Sequence, residues 1–323
     1  MEVEQVVCLP RLSRVAVCGG THGNELSGVY LVRELQKEVM EKEEEEEEEE
    51  EEHPSVSMVL SNPRAVQQCR RYVDTDLNRC FTRADLNGPA SGPLPYEMIR
   101  SRELNAKLGP KGRSGAVDLV CDLHNTTANM GLCLIAQMPD IPMRFIHFEL
   151  SNKESYSLDS VGKHGFAMEI GPQPHGVVRS NVYTAMKAGV QHMLDWVCFF
   201  NSGTLFEGES VDVFTMIKHI DYPRDIGTRN ITAAVHPHLQ DRDFCLLRPE
   251  DPLFQTFSGE TLRYEGNEPL YPFFINEGAY YEKGIALSLA RKRRVMIPAI
   301  RVQTEQERQA HVRESASEEE DGL

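Results

Sequence analysis

The chain has 323 residues, of which 40% are hydrophobic, enough for a sizeable core spread over about two domains. The net charge of −16 is concentrated in a glutamate-rich run at 41–52 and an acidic stretch at 313–321, so the chain lacks the basic face typical of nucleic-acid-binding proteins. It contains no apolar run of transmembrane length, no signal-peptide core at the N-terminus and no C-x-x-C pair among its eight cysteines, and we therefore expect an intracellular protein with reduced thiols.

Apolar strands alternate with amphipathic helices in the first part of the chain. Helices are predicted at 28–40, 95–109 and 182–200, where apolar residues recur at helical spacing, and 64–79 is predicted to be an irregular polar loop. This alternation predicts an α/β catalytic domain over 1–205 with a largely parallel sheet. Its strands are predicted at 14–18, 56–63, 117–125, 131–138 and 166–171.

The pattern of apolar and turn residues changes in the remainder of the chain. Short apolar runs separated by turn residues predict a smaller, β-rich C-terminal domain over 206–302. The polar stretch 303–323 is predicted to be a disordered acidic tail. The glutamate run at 41–52 is predicted to be a solvated extension of the preceding helix, and an acidic partner-binding loop is the alternative.

A candidate metal site begins with His22 and Glu25, which stand three residues apart where a strand turns into a helix. This spacing places both side chains on one face of the first helical turn. His124 lies a hundred residues later at another strand end, and the carboxyl ends of parallel strands meet at one edge of a sheet. Catalytic zinc takes three such N or O ligands, although a helix-terminal and a strand-end histidine without a metal would look the same in sequence. Asp122 is a candidate carboxylate partner for His124, because side chains two apart on a strand share a face.

Two further features suggest chemistry next to that site. Glu169 is an acid in an otherwise apolar strand, which indicates either a general base or a buried ion pair. The loop 68–81 could form a clamp for a substrate carboxylate, or it could be a solvated loop with internal salt bridges. Its charged and amide side chains are Arg70, Arg71, Asp74, Asp76, Asn78 and Arg79.

Eight motifs occur in a fixed order between about Arg14 and Gly284. They are GGTHGNE, NPRAV, CRRYVDTDLNR, PYE, DLHNTTANMG, EIGPQPHGV, HPHLQDRDF and NEGAYYEKG. Together they resemble the aspartoacylase family, which has a zinc-carboxypeptidase-like fold. The resemblance implies a mixed sheet flanked by helices, a smaller β-rich C-terminal domain, and one Zn²⁺ per subunit. The implied zinc ligands are His22, Glu25 and His124.

The same resemblance implies an amidohydrolase whose partner is a small N-acyl amino acid. It makes Glu169 the catalytic acid and base, and it makes Arg79 a second catalytic group that polarises the scissile carbonyl. Substrate binding is implied for Arg71, Asn78 and Arg79, and for Tyr280, which would reach the site from the C-terminal domain. A homo-oligomer in the cytosol, with enrichment at the apical membrane of epithelial cells, is also implied.

Position 159 is expected to decide which substrate is used. Aspartate-specific members of the family carry an arginine ten residues before the catalytic glutamate, and this chain has Asp159 there. A negative side chain would repel N-acetylaspartate, which favours aromatic or uncharged N-acyl amino acids and mercapturates (S-substituted N-acetylcysteines). A solvated Asp159 without a role is the alternative at the level of the residue. The alternatives at the level of function are an aspartoacylase, a cobalt- or manganese-preferring hydrolase, and a non-catalytic acidic interaction protein.

One segment departs from the family pattern. Between the apolar run 132–136 and residue 154 the family carries a helix and then a strand, and here only seventeen residues, 137–153, fill the gap. The run 143–150 can supply the strand, but no room remains for the full helix, although a crossover between parallel strands usually needs about a dozen residues or more. An isoform, a gene-model error or a degenerate copy would each explain this difference.

Overall fold

The computed structural model describes residues 6–43, 54–89, 92–136, 145–148 and 155–307. The helices are α1 (Leu26–Glu43), α2 (Pro63–Gln67), α3 (Arg83–Asn87), α4 (Tyr96–Leu108) and α5 (Ser180–Asn201). The strands of the first part are β1 (Val7–Leu9), β2 (Arg14–Gly19), β3 (Ser55–Leu60), β4 (Leu119–Asn125), β5 (Gly131–Ala136), β6 (Phe145–His147) and β7 (His164–Gly171). Those of the second part are β8 (Glu209–Ile220), β9 (Ala233–Val235), β10 (Pro252–Thr256), β11 (Thr261–Arg263), β12 (Tyr271–Phe273), β13 (Leu287–Ile297) and β14 (Ile300–Val302).

A nine-stranded mixed sheet, in the order β12-β13-β8-β6-β5-β7-β4-β2-β3, forms the centre of the molecule. The strands β3, β2, β4 and β7 are parallel neighbours, and β5 runs antiparallel to β7. On its other side β5 pairs in parallel with β6, which pairs in parallel with β8. The predicted α/β class with a mixed sheet is confirmed.

Helices cover the sheet on both faces. Apolar residues of α5 at positions 182, 186, 190, 193 and 197 form one stripe, and they join α1 and the strands in the largest core cluster. A second cluster lies on the opposite face and includes Leu77, Phe81 and Leu104 together with Val120 of β4. The flanked sheet therefore agrees with the prediction from the alternating elements.

Helix α1 approaches β2 closely. A Cβ atom on Gly19 would lie 2.4 Å from the carbonyl oxygen of Gly28, so only glycine fits at this contact. The close approach fixes the turn that carries His22 and Glu25. That turn is thereby held at the end of β2, beside the ends of β4 and β7.

The loop predicted over 64–79 is more regular at its start than the sequence indicated. Pro63 begins α2, and the side chain of Asn62 accepts a hydrogen bond from the backbone N–H of Ala65. An N-cap followed by proline is a helix-start signal that the polar composition of the loop obscured. The remainder of the loop up to Asp76 is irregular, as expected.

The second part of the chain contributes to two sheets. Strands β9, β10 and β11 form a separate three-stranded sheet over their own apolar cluster. Strands β8, β12 and β13 extend the central sheet instead, so pairing continues across position 205, where the sequence suggested a division. Residues 303–307 are also structured, because Gln303 donates to the carbonyl of Leu9 and Glu307 pairs with Arg301.

Three expectations fall wholly or partly outside the described residues, and the first is the predicted tail, of which residues 308–323 are not described. The strand predicted within 143–150 is confirmed as β6, but residues 137–144 and 149–154, which bear on the missing helix, are not described. Most of the glutamate run is not described either, although α1 extends to Glu43. In the part of the chain that is described, no helix combines the length and the apolar character needed to cross a membrane.

Candidate active site

A cavity of about 130 Å³ lies where β2, β4 and β7 end side by side. The nine residues for which the family resemblance implied metal binding, catalysis or a role in substrate binding or selection line it. They are His22, Glu25, Arg71, Asn78, Arg79, His124, Asp159, Glu169 and Tyr280.

The two histidines and Glu25 form a buried group whose donor atoms converge. The Nδ1 atom of His22 lies 2.6 Å from Oε1 of Glu25, and the Nδ1 atom of His124 lies 3.0 Å from Oε2. The two Nδ1 atoms are 3.2 Å apart. Ligand atoms from all three residues lie within 4.8 Å of one another, which fits one metal ion held by two imidazole nitrogens and a carboxylate.

The Nε2 atom of each imidazole, on the side away from the candidate metal position, contacts a carboxylate. The Nε2 atom of His124 is 2.7 Å from Asp122, and the Nε2 atom of His22 is 3.0 Å from Asp76. A proton on each Nε2 satisfies these carboxylates and leaves both Nδ1 lone pairs facing the same point. This arrangement is typical of metal-binding histidines, and it gives Asp122 the contact proposed from its spacing.

Asp76 is a member of this group that the sequence did not distinguish. It stood among several acids in a polar loop, and its partner His22 is 54 residues away. Burial would raise the pKa of Asp76, but His22 and Arg71 outweigh that effect and hold the pKa far below its usual range. The group is thus a fixed negative charge beside the candidate metal position.

The charges of the candidate ligands are coupled. Burial would raise the pKa of Glu25, yet the neighbouring histidines hold it well below the usual value. Burial would lower the pKa of His124, and Asp122 and Glu25 together raise it instead. A divalent cation at the same position would supply the positive charge that these buried carboxylates require.

Glu169 faces the cavity from β7, directly paired in register with His124 on β4. The side chain is buried, and its Oε1 atom has no hydrogen-bond partner among the described residues. Burial raises the pKa of this carboxyl well above its ordinary value. A buried carboxyl oxygen without a partner is costly unless a ligand or water engages it.

The three loop residues implied to bind substrate differ in their surroundings. The guanidinium of Arg71 pairs with Glu25 at 3.3 Å and with Asp76 at 3.2 Å, which agrees with the internal salt bridges considered from the sequence. Asn78 accepts a hydrogen bond from the backbone N–H of Leu158. Arg79 extends over the ring of Tyr156, with its guanidinium carbon 4.5 Å from the ring centroid.

The C-terminal part of the chain supplies one wall of the cavity. Tyr280 packs edge-on against Phe274, and the ammonium of Lys283 lies 5.3 Å from the Tyr280 ring centroid and 3.1 Å from Asp76. Glu277 anchors this wall by accepting hydrogen bonds from the side chain of Thr126 and the backbone N–H of Thr127. The sequence identified Tyr280 only through the family motif, and Lys283 and Glu277 were missed although the same motif contains them.

Asp159 lies at another part of the cavity wall. It is 5% exposed, and burial raises its pKa to about 6. The expected alternative of a solvated Asp159 is therefore wrong. Apolar and aromatic side chains share the cavity with it, namely Ile135, Phe148, Tyr156, Phe274 and Ile285.

Comparisons with known proteins agree with this geometry. Residues 11–197 match the succinylglutamate desuccinylase/aspartoacylase catalytic domain, and residues 209–292 match the AstE/AspA barrel-sandwich hybrid domain. The N-acyl-aromatic-L-amino acid amidohydrolase (carboxylate-forming) B of Danio rerio is 54% identical over 314 residues, which cover 92% of this chain and 98% of that protein. The Homo sapiens enzyme called N-acyl-aromatic-L-amino acid amidohydrolase (carboxylate-forming) is 45% identical, with 90% and 93% covered. The crystal structure of murine aminoacylase 3 superimposes with a TM-score of 0.82 at 42% identity, covering 90% of this chain and 99% of that one.

Proposed function

The chain belongs to the succinylglutamate desuccinylase/aspartoacylase family, and from that membership we propose that it is a zinc-dependent amidohydrolase of N-acyl aromatic or other uncharged L-amino acids. The products would be a carboxylate and the free amino acid. The observation that carries the proposal is the convergence of the three candidate ligands and Glu169 in a cavity that also contains apolar walls and Asp159.

The proposed chemistry divides into a few roles. A Zn²⁺ ion held by His22, Glu25 and His124 would supply Lewis acidity towards the amide carbonyl and would make water easier to deprotonate. Glu169 takes the proton from the attacking water and then donates it to the leaving amine nitrogen. Its buried Oε1 atom, which lacks a partner among the described residues, is available for that transfer.

The arginines and Tyr280 are proposed to place the substrate. Arg79 donates a hydrogen bond to the carbonyl oxygen as negative charge develops on it. Arg71, Asn78 and Tyr280 bind the α-carboxylate, for which guanidinium and hydroxyl donors are suited. Binding of both the carbonyl oxygen and the α-carboxylate fixes the orientation of the substrate amide relative to Glu169.

The choice between aromatic and acidic N-acyl amino acids is proposed to depend on Asp159. A buried carboxylate in the substrate's side-chain region repels the second carboxylate of N-acetylaspartate. The apolar and aromatic walls accept an aromatic ring or the S-substituent of a mercapturate. Both features favour the aromatic specificity in the names of the relatives over aspartoacylase activity.

Several finer attributes belong to the same proposal. We propose Zn²⁺ at one ion per subunit, although the His₂Glu donor set would also bind cobalt or manganese. A cytosolic homo-oligomer with enrichment at the apical membrane follows from the family resemblance alone. Metal analysis and light scattering of the purified protein would test the ion and the assembly.

The test of the proposed function is a deacylation assay combined with metal analysis on the same sample. N-acetyltyrosine, an aryl mercapturate and N-acetylaspartate are compared at equal concentration. We expect stoichiometric zinc and faster turnover of the first two substrates. Zinc with preferential turnover of N-acetylaspartate would assign the chain to the aspartoacylases, and absence of both zinc and turnover would favour the non-catalytic interaction protein.

Replacement of Asp159 with asparagine should narrow the discrimination against N-acetylaspartate by about 10-fold, because the repulsion between two carboxylates in a partly buried cavity is worth a few kcal/mol at most. The measurement is kcat/KM for N-acetylaspartate relative to N-acetyltyrosine. Asp195→Asn, a matched change on the exposed side of α5, should leave the ratio unchanged.

The same discrimination should depend on pH in the native protein. Since burial raises the pKa of Asp159 to about 6, its charge is present above that pH and is lost as the pH falls through it. The relative rate with N-acetylaspartate should therefore rise below pH 6 in the native protein but stay flat in Asp159→Asn. Parallel profiles for the two proteins would remove Asp159 from substrate selection.

A further inference from the structure

Lys111 is a buried cation that lies outside the cavity lining. It follows α4 and is 7% exposed. Its ammonium donates to the carbonyl of Phe81 at 2.9 Å, the carbonyl of Ser155 at 2.5 Å and the hydroxyl of Ser160 at 2.8 Å. Each of the three N–H bonds of the Lys111 ammonium therefore has its own hydrogen-bond acceptor.

These acceptors belong to two segments that both reach the cavity. Phe81 lies two residues after Arg79, whereas Ser155 and Ser160 flank Tyr156 and Asp159. Lys111 therefore joins the backbone that carries the candidate catalytic arginine to the backbone that carries the candidate selecting aspartate.

The joined segments are also in direct contact next to the cavity. The N–H of Phe81 donates to the carbonyl of Tyr156 at 3.1 Å, and the N–H of Leu158 donates to the side chain of Asn78 at 2.9 Å. The ring of Tyr156 supports the guanidinium of Arg79 at 4.5 Å. Stacking on an aromatic ring orients the guanidinium of an arginine. The direction of the Arg79 guanidinium therefore depends on the position of the Tyr156 ring.

We propose that Lys111 is a positioning residue that holds Tyr156 beneath Arg79 by joining the carbonyls of Phe81 and Ser155, and so sets the direction of the Arg79 guanidinium in the cavity. This inference rests on the proposed function, in which Arg79 contacts the scissile carbonyl. Lys111 itself touches neither substrate nor metal.

A charged amine suits this position better than an apolar side chain. An apolar residue would leave two backbone carbonyls and a hydroxyl without their donor in a buried place, which is unfavourable. Burial lowers the pKa of Lys111 to about 8, while the carboxylate of Asp159 acts in the opposite direction. The amine consequently remains mainly protonated at neutral pH and keeps all three donors.

The test compares Lys111→Met with Lys107→Met, an equal change at an exposed position of α4. We expect Lys111→Met to lower kcat for N-acetyltyrosine about 10-fold with little change in KM, because the misdirected arginine acts mainly in the transition state. Lys107→Met should match the native protein. An unchanged kcat in folded Lys111→Met would overturn the proposal.

A double-mutant cycle with Arg79→Ala separates positioning from a general loss of structure. If Lys111 acts through Arg79, Lys111→Met should cost less than about 2-fold once the arginine is absent. An undiminished loss in that background would show an independent effect and contradict the inference. If Lys111→Met does not fold, Ser160→Ala removes one acceptor only and should give a smaller loss of kcat that also disappears without Arg79.

Hydrogen exchange supplies a readout that needs no turnover. The amides of residues 76–82 and 155–161 should exchange faster in Lys111→Met than in the native protein or Lys107→Met. If the amides of both segments exchanged at the native rate in Lys111→Met, Lys111 would not join the two segments, and this conclusion would hold even for an inactive enzyme. A native protein that deacylates none of the substrates would instead refute the proposed function, so the two failures are distinguishable.

Discussion

Glu169→Gln is expected to lower kcat about 10²–10⁴-fold, the range that a positioned general acid and base contributes. Glutamine keeps the shape of the side chain but cannot accept a proton from water at neutral pH. Because Glu169 is not among the three convergent ligands, metal content should stay at the native level. The measurement is steady-state turnover of N-acetyltyrosine with metal analysis of each preparation.

The control for Glu169→Gln is a change of the same kind at the surface. Glu268 pairs with Arg291 on the exterior, and Glu268→Gln should retain native turnover. Native kcat in metal-loaded Glu169→Gln would rule out proton transfer by this carboxylate. The activity would then require another base in the cavity.

His124→Ala is expected to lower metal affinity at least 100-fold, because even residues that only support a ligand typically contribute 10–100-fold. His124 is one of the two candidate imidazole ligands, and its removal also deprives Glu25 and Asp122 of one hydrogen-bond contact each. The variant should therefore lose its metal on dialysis and lose turnover with it. Metal titration and circular dichroism on the same sample separate loss of binding from loss of folding.

Heat denaturation gives a second readout for the same variant. A metal that binds only the folded protein raises the melting temperature, so a chelator should lower that temperature in the native protein and have little effect on His124→Ala. The matched control is His192→Ala on the exposed side of α5. A folded His124→Ala protein that retained stoichiometric metal would disprove the proposed ligand set.

Much of the candidate site could be predicted because its residues stand at strand ends. Parallel strands bring their carboxyl ends together, so His22, His124 and Glu169 were expected to meet although they are far apart in sequence. The family motifs added Tyr280, and they assigned to Arg79 of the polar loop its role at the scissile carbonyl. The structure places all of them around one cavity.

The residues that support the candidate site, Lys111 and Asp76, could not be predicted from the sequence, and the reason is physical. A lysine between Pro110 and Gly112 in a loop is typical of the surface, and only tertiary contacts show that Lys111 is buried among carbonyl groups. Asp76 was one of several acids in a polar loop, and its role depends on one distant imidazole. Partners of this kind are set by packing rather than by local sequence.

The fold shows the same limit. Alternation of strands and helices predicted the class, but it does not specify which strands become neighbours. Strands β8 and β13 belong to the predicted C-terminal domain, and the sequence did not indicate that they also continue the central sheet beyond β6. The order of strands depends on long-range contacts that no short window of sequence contains.

The short strand β6 has a consequence for cooperativity. Among the described residues, Phe145–His147 form the link in the central sheet between the strands that carry the candidate ligands and the strands of the second half of the chain. The described part of β6 forms only three residue pairs with β5 and three with β8. We therefore expect the second half to open as a separate unit at a lower free energy than global unfolding. Such an opening would withdraw Tyr280 and Lys283 while His22, Glu25 and His124 stayed together on the other side. The partly opened protein would then keep its three candidate metal ligands together but lose one wall of its cavity.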